Sequence, residues 1–172
     1  QATIDEAKRL WQRVNRPNVM IKVPATPAGI PAVEHLISEG LNINITLMFS
    51  MEHYVRVAEA YIRGLQKRSE QGRGLSVASV ASFFVSRVDS LIDKLLEERL
   101  VHTSTDQEKT EIQDLFGKTA IANSKLVYEK FQEIFSGADF LPLKRQGARV
   151  QRPLWASTST KNPEYSDLKY VE

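Results

Sequence analysis

The chain has 172 residues, 42% hydrophobic and 26% charged, the mix of a globular domain with a sizeable core. Its 23 basic and 21 acidic residues are interspersed and leave a formal charge of +2, so an isoelectric point near 8.8 reflects no basic footprint for nucleic acid or an anionic membrane. No apolar run approaches membrane-spanning length, the first residues do not read as a signal peptide, and the lack of cysteine excludes disulfides and thiolate chemistry, which is compatible with a cytoplasmic setting.

Residues 3–14 read as an amphipathic helix with Ile4, Ala7, Leu10, Trp11 and Val14 on one face. The pattern opens in mid-helix without a methionine, so the chain is expected to be part of a longer polypeptide. "NRPN" is a turn, and Val19 to Val23 a short strand. Thr26 suits the cap of the next helix, Pro27 its first position and Gly40 its stop. Ile30, Val33, Leu36 and Ile37 are its buried stripe. Leu41 to Phe49 reads as a second strand, and Ser50 as the cap of a long helix in which Val55, Ala58, Ile62 and Leu65 recur at helical spacing.

After the turn "EQGRG", Leu75 to Val85 reads as a third strand. Val88, Leu91, Ile92, Leu95 and Leu96 mark another helix, and a helix from Asp106 to Phe135 is expected to break near Gly117. Arg149 to Thr158 reads as a fourth strand, and "STKNPEYSD" as an exposed polar loop. The order is that of an α/β protein, about four parallel strands with crossover helices. A closed (β/α)8 barrel of TIM type needs about 250 residues, so this length accommodates half of one, or a small open doubly wound sheet.

Side chains alternate across a strand. Lys22 therefore shares a face with Met20, and Val19, Ile21 and Val23 share the other. In the second strand Asn42, Asn44 and Thr46 oppose Leu41, Ile43, Ile45 and Leu47. If the apolar face meets helices, the lysine, asparagines and threonine face a barrel axis, with Ser82 aligned to Phe84 and Trp155 to Ser157. All lie late in their strands, where sites form in such sheets. Each also has an ordinary reading. A strand-end lysine snorkels to solvent, and Asn and Thr pairs make structural cross-strand bonds. Arg87 either holds an anion at a helix start or lies in solvent. His35, His53 and His102 share no ligand spacing, so no metal is expected.

Five motifs in order, "IKVPATPAGIPA", "GLNINITLMFS", "VASFFVSRVD", "GKTAIAN" and "QRPLWASTSTKNP", resemble transaldolase in its longer bacterial form. The resemblance implies a cofactor-independent, Schiff-base-forming enzyme of the pentose phosphate pathway on a (β/α)8 barrel, with this chain covering about strands four to seven of a single partial barrel domain. It places Lys22 at the Schiff-base lysine, Asn44 and Thr46 at the family's active-site asparagine and threonine, and Ser82 at its sixth-strand serine. Phe84 would line the donor pocket, Arg87 would grip the substrate phosphate, and Ser157 would fall in the seventh-strand phosphate region. Many relatives carry an arginine there, and Lys161 is the substitute this sequence offers.

The residue types suit the chemistry. A lysine desolvated among apolar neighbours is available as a neutral nucleophile, and an arginine fork suits a phosphate dianion. The substrates implied are fructose 6-phosphate, sedoheptulose 7-phosphate, erythrose 4-phosphate and glyceraldehyde 3-phosphate. The family's aspartate, asparagine and glutamate from its first three strands have no counterpart in these residues. Part of an active transaldolase, a related fructose-6-phosphate aldolase, and a non-catalytic sugar-phosphate-binding or association module are therefore all open. A partial barrel with two free sheet edges is expected to self-associate.

Overall fold

Strand and helix alternate through residues 1–171, which the computed structural model describes. The order is α1 (Ala2–Val14), β1 (Ile21–Pro24), α2 (Gly29–Glu39), β2 (Ile43–Met48), α3 (Met51–Glu70) and β3 (Ser79–Phe84). α4 (Ser86–Val101), α5 (Asp106–Gln113), α6 (Thr119–Ser136), α7 (Leu141–Arg145) and β4 (Arg152–Ala156) follow. The strands form one parallel sheet in the order β1-β2-β3-β4, the α/β arrangement expected from the pattern. Contacts gather the chain into two compact units, Gln1–Phe83 with Val127–Leu154, and Phe84–Leu126 with the residues from Trp155 onward.

In the first unit the apolar sides of the strands meet the helices. Ile21 pairs with Ile43 and Val23 with Ile45. These four, with Ala81 and Phe83, join Val33, Leu36, Ile37, Val57, Tyr61 and Leu65 in one buried cluster. Each valine, leucine, isoleucine or phenylalanine among them contributes about 1.5–3 kcal/mol when fully buried. A one-residue slip would turn them to the other face and bury Lys22 instead, so the apolar pattern locks the register.

The helix ends follow local chemistry. Ser50 caps α3 by accepting from the His53 amide at 3.2 Å, and Gly40 closes α2 with φ 93°. The Thr26 hydroxyl accepts from the Gly29 amide at 3.0 Å, but α2 begins only at Gly29 because Pro27 and Ala28 form a turn. Gly117, with φ 64°, lies in the break between α5 and α6. The short α7, with a proline in its first turn, has no counterpart in the sequence reading.

Every strand is shorter than its apolar run. The side chain of Asn42 explains this for two of them. Its Nδ2 lies 3.3 Å from the carbonyls of Pro17 and Val19, and its Oδ1 accepts from the Ala78 amide at 2.8 Å. Backbone groups ahead of β1 and β3 are thus satisfied by a side chain rather than by a ladder. Ahead of β4, the Tyr61 hydroxyl lies 2.7 Å from the Arg149 carbonyl.

Alternation also fails once. Leu47, expected on the apolar face, is 40% exposed with φ 65°. The β2–β3 register shifts between Ile45 and Met48, and Met48 takes the buried place. That is a bulge, in which one extra residue displaces the pleat.

In the second unit α4 inverts the usual assignment. Leu91 and Leu95 are 60% and 49% exposed, whereas Asp89 and Asp93 are buried at 1% and 7%. Nor is "STKNPEYSD" a free polar loop, because Tyr165 within it bonds to Asp93.

Two measurements on the complete protein probe the first unit. α3 approaches α2 at Gly64, where a Cβ would lie 2.8 Å from both the Glu34 carbonyl oxygen and the Ile37 Cβ. Gly64→Ala is expected to cost about 1–3 kcal/mol by overpacking, read from urea unfolding. An unchanged midpoint would refute the close approach. Glu34 joins the same helices by accepting from Lys67 at 2.6 Å and Arg63 at 2.7 Å. Burial alone would raise its pKa, but those two hydrogen bonds and charges outweigh it and hold the carboxyl below its ordinary value. A folded pKa below the unfolded one means that the stabilisation is complete above the unfolded value and is lost as pH falls through the folded one. Glu34→Gln should therefore lower the melting temperature at pH 7, with the gap closing under acid. A gap that persists there would refute the ion pair as its cause.

Candidate active site

On the non-core face of the first unit, Lys22 stands opposite Asn44, and Pro24 opposite Thr46, in the β1–β2 register. The Ser82 hydroxyl of β3 donates to Asn44 Oδ1 at 2.7 Å. Lysine, asparagine and serine are thus brought onto three neighbouring strands, with threonine one step further along. Ser82 and Thr46 are buried, Asn44 is half-buried and Lys22 is exposed. The expected desolvation of Lys22 by apolar neighbours is not found. Its neighbours Ile21 and Val23 point into the helix-covered core, and the alternation that buries them turns the lysine out.

The Thr46 hydroxyl is buried and has no hydrogen-bond partner among the described residues. A buried, unsatisfied hydroxyl is costly, and it retains its full capacity to donate and accept. At the rim, the His53 ring bonds to the carbonyl of Ala25, just past β1. This links the start of α3 to the end of the lysine strand, a contact that the sequence reading did not anticipate.

The remaining candidates lie in the second unit. The Arg87 guanidinium stands 5.5 Å from the centre of the Phe84 ring, within cation–π range. Next to Arg87, the Ser86 amide donates to the Ser157 carbonyl at 2.9 Å, and the two serine hydroxyls lie 2.9 Å apart. Ser157 itself has φ 56°, so it ends β4 rather than continuing it. Lys161 is exposed and donates to the Ser159 hydroxyl at 2.8 Å. The arginine, the serine pair and the lysine are residue types suited to binding an anion.

A cluster that sequence reasoning passed over lies behind them. Asp89 accepts from the Ala120 amide at 2.7 Å and the Tyr170 hydroxyl at 2.7 Å. Asp93 accepts from the Gly117 amide at 2.9 Å and the Tyr165 hydroxyl at 2.6 Å. One oxygen of each carboxylate serves the start of α6, where negative charge is favoured, and the other holds a tyrosine of the last segment. Burial first, then the aspartate hydrogen bonds and charges, push both phenols above their ordinary pKa, so both remain donors at physiological pH. Hydrogen bonds to a charged group are worth about 1.5–3 kcal/mol each. The available signal was the i, i+4 spacing of Asp89 and Asp93 in "VDSLID", followed by tyrosines in the tail.

Comparison with known proteins places the chain in a family. A family described as "Transaldolase/Fructose-6-phosphate aldolase" matches residues 1–172. A transaldolase of Trichodesmium erythraeum is 48% identical over 173 residues, covering 100% of this chain and 46% of its own length. A transaldolase of Mycolicibacterium smegmatis is 51% identical over 170 residues, covering 98% and 44%, and transaldolase 1 of Streptomyces avermitilis is 50% identical over 173 residues, covering 100% and 44%. The chain thus spans less than half the length of these relatives. With the whole of its length matched, the chain belongs to the transaldolase/fructose-6-phosphate aldolase family.

Proposed function

We propose that the protein carrying this chain is a transaldolase, moving a three-carbon dihydroxyacetone unit between sugar phosphates through a Schiff base on Lys22. The observation that carries the reading is Lys22 in register with Asn44 on one sheet face, with Ser82 orienting the asparagine side chain.

The Lys22 amine, in its neutral form, attacks the ketone carbon of fructose 6-phosphate or sedoheptulose 7-phosphate, and loss of water leaves an iminium. This accepts the electron pair released when the C3–C4 bond breaks. An aldose phosphate departs, and the three-carbon carbanion stays bound as an enamine. Attack of that carbanion on an acceptor aldose such as erythrose 4-phosphate, followed by hydrolysis, restores Lys22. With its Oδ1 occupied by Ser82, Asn44 presents its Nδ2 hydrogens to the donor hydroxyls. Thr46, with an unpartnered hydroxyl, holds the water that carries protons. Phe84 lines the donor end, and Arg87, Ser157 and Lys161 take the phosphate.

The exposure of Lys22 makes closure of this face by the rest of the polypeptide a requirement of the reading. The same remainder must supply the carboxylates that exchange protons with the substrate. The 172 residues alone are accordingly proposed to be inactive and, with β1 and β4 at the sheet edges, to self-associate. The complete enzyme is placed in the cytoplasm and in the pentose phosphate pathway. The family description also covers fructose-6-phosphate aldolases, which would release the three-carbon unit without an aldose acceptor. Product analysis with and without erythrose 4-phosphate separates the two.

Borohydride reduction of the complete protein in the presence of fructose 6-phosphate is expected to label Lys22 irreversibly, as seen by peptide mass mapping. An adduct that survives Lys22→Ala removes the lysine from the mechanism. Arg87→Ala should raise KM for phosphorylated substrates by about tenfold or more, the worth of a charge-assisted bond, and change KM for free dihydroxyacetone little. Equal effects on both would take Arg87 out of the phosphate role.

A further inference from the structure

The segment from Ser157 to Tyr170 is attached to α4 at both of its ends. At the first, Ser157 is held by the Ser86 amide and hydroxyl. At the second, Tyr165 and Tyr170 reach the buried carboxylates of Asp93 and Asp89. Between these anchors lies the hydroxyl-rich stretch Thr158 to Thr160, followed by Lys161. The anchors have a rigid base, because the same two carboxylates also bind the backbone amides of Gly117 and Ala120. Lys169 adds a cationic contact, its ammonium 4.2 Å from the centre of the Tyr165 ring. Gly117 leaves no room to spare, since a Cβ there would lie 2.7 Å from the Lys169 Nζ and 2.8 Å from the Tyr165 Cζ.

Solvent-exposed side chains explain none of this. A helix that exposes Leu91 and Leu95 while burying Asp89 and Asp93 has had its orientation chosen in large part by polar bonds. Asp89 and Asp93 follow Arg87 by two and six residues on the same helix. Both oxygens of each carboxylate are engaged with donors, so neither is directed at Arg87.

We propose that Asp89 and Asp93, acting through Tyr170 and Tyr165, are positioning residues that hold the Ser157–Lys161 stretch as a strap on α4 and thereby set the affinity for phosphate beside Arg87. The proposal rests on the reading of Arg87, Ser157 and Lys161 as the phosphate ligands. None of the four positioning groups touches substrate. They restrict the strap, so that its hydroxyls and ammonium need not be ordered at the moment of binding.

The test uses the complete enzyme and inorganic phosphate, titrated calorimetrically, with steady-state kinetics on erythrose 4-phosphate and on unphosphorylated glyceraldehyde as acceptors. Tyr165→Phe/Tyr170→Phe is expected to weaken phosphate binding about three- to tenfold, a fraction of the worth of the two carboxylate hydrogen bonds it removes, since they act on the ligand only by positioning. KM for erythrose 4-phosphate should rise in parallel, with kcat and the glyceraldehyde reaction little changed. Gly64→Ala serves as a control that lowers stability in the other unit and leaves phosphate affinity at the wild-type value. Phosphate affinity unchanged in the tyrosine double variant, or reduced equally in the Gly64→Ala control, overturns the proposal. Should the double variant not fold, Tyr165→Phe and Tyr170→Phe singly must show the same KM-specific effect, and its absence overturns the proposal too. Phosphate binding is read independently of Lys22 labelling. A protein that fails to form the Schiff base but binds phosphate in a tyrosine-dependent way refutes the transaldolase reading alone, and one that labels at Lys22 but binds no phosphate refutes the strap.

Discussion

The parallel register of β1 on β2 is the constraint from which the site follows. Ile21 against Ile43 and Val23 against Ile45 are held by the helices that cover them, and the pleat then leaves no choice for the residues between. Lys22 must fall opposite Asn44, on the other face. The driving force is burial of branched aliphatic side chains, which is non-directional. Its consequence is directional, because strand geometry converts an apolar face into the placement of its polar complement. Lys22 is thus located by the core that excludes it.

A second kind of constraint operates in the other unit. Two carboxylates on α4 are buried with all four oxygens bound to amides or phenols, whereas Leu91 and Leu95 of the same helix face outward. Burying a carboxylate without donors would be prohibitive, whereas burying one that has them is feasible and specifies a single arrangement. The first unit chooses its register by apolar area. The second chooses its helix face by satisfying charge.

Much of this was legible from local pattern. The caps at Ser50 and Gly40, the break at Gly117 and the polar face of "NINIT" each depend on residues a few positions apart, and all appear where the sequence puts them. The strand limits were less legible, because a strand ends where its partner's hydrogen bonds end. Asn42, read as one more polar strand residue, instead substitutes for the ladder on both sides of β2. Leu47 matched the apolar alternation and still lies outside it, since the bulge arises from pairing with β3. The buried aspartates, marked in the sequence only by their i, i+4 spacing, were hard to read for a related reason. Their donors are a helix start more than twenty residues away and two tyrosines more than seventy residues away.

By itself the sequence determined the alternation of strands and helices apart from the short α7, the family, and the residue types that could carry Schiff-base chemistry, because periodicity, capping and motif order are properties of neighbouring residues. Only the tertiary structure decided that Ser82 orients Asn44, that Lys22 is exposed on its sheet face, and that α4 buries acid rather than leucine. Those outcomes depend on which distant groups supply hydrogen-bond donors and which faces the helices cover, and no local pattern contains that information.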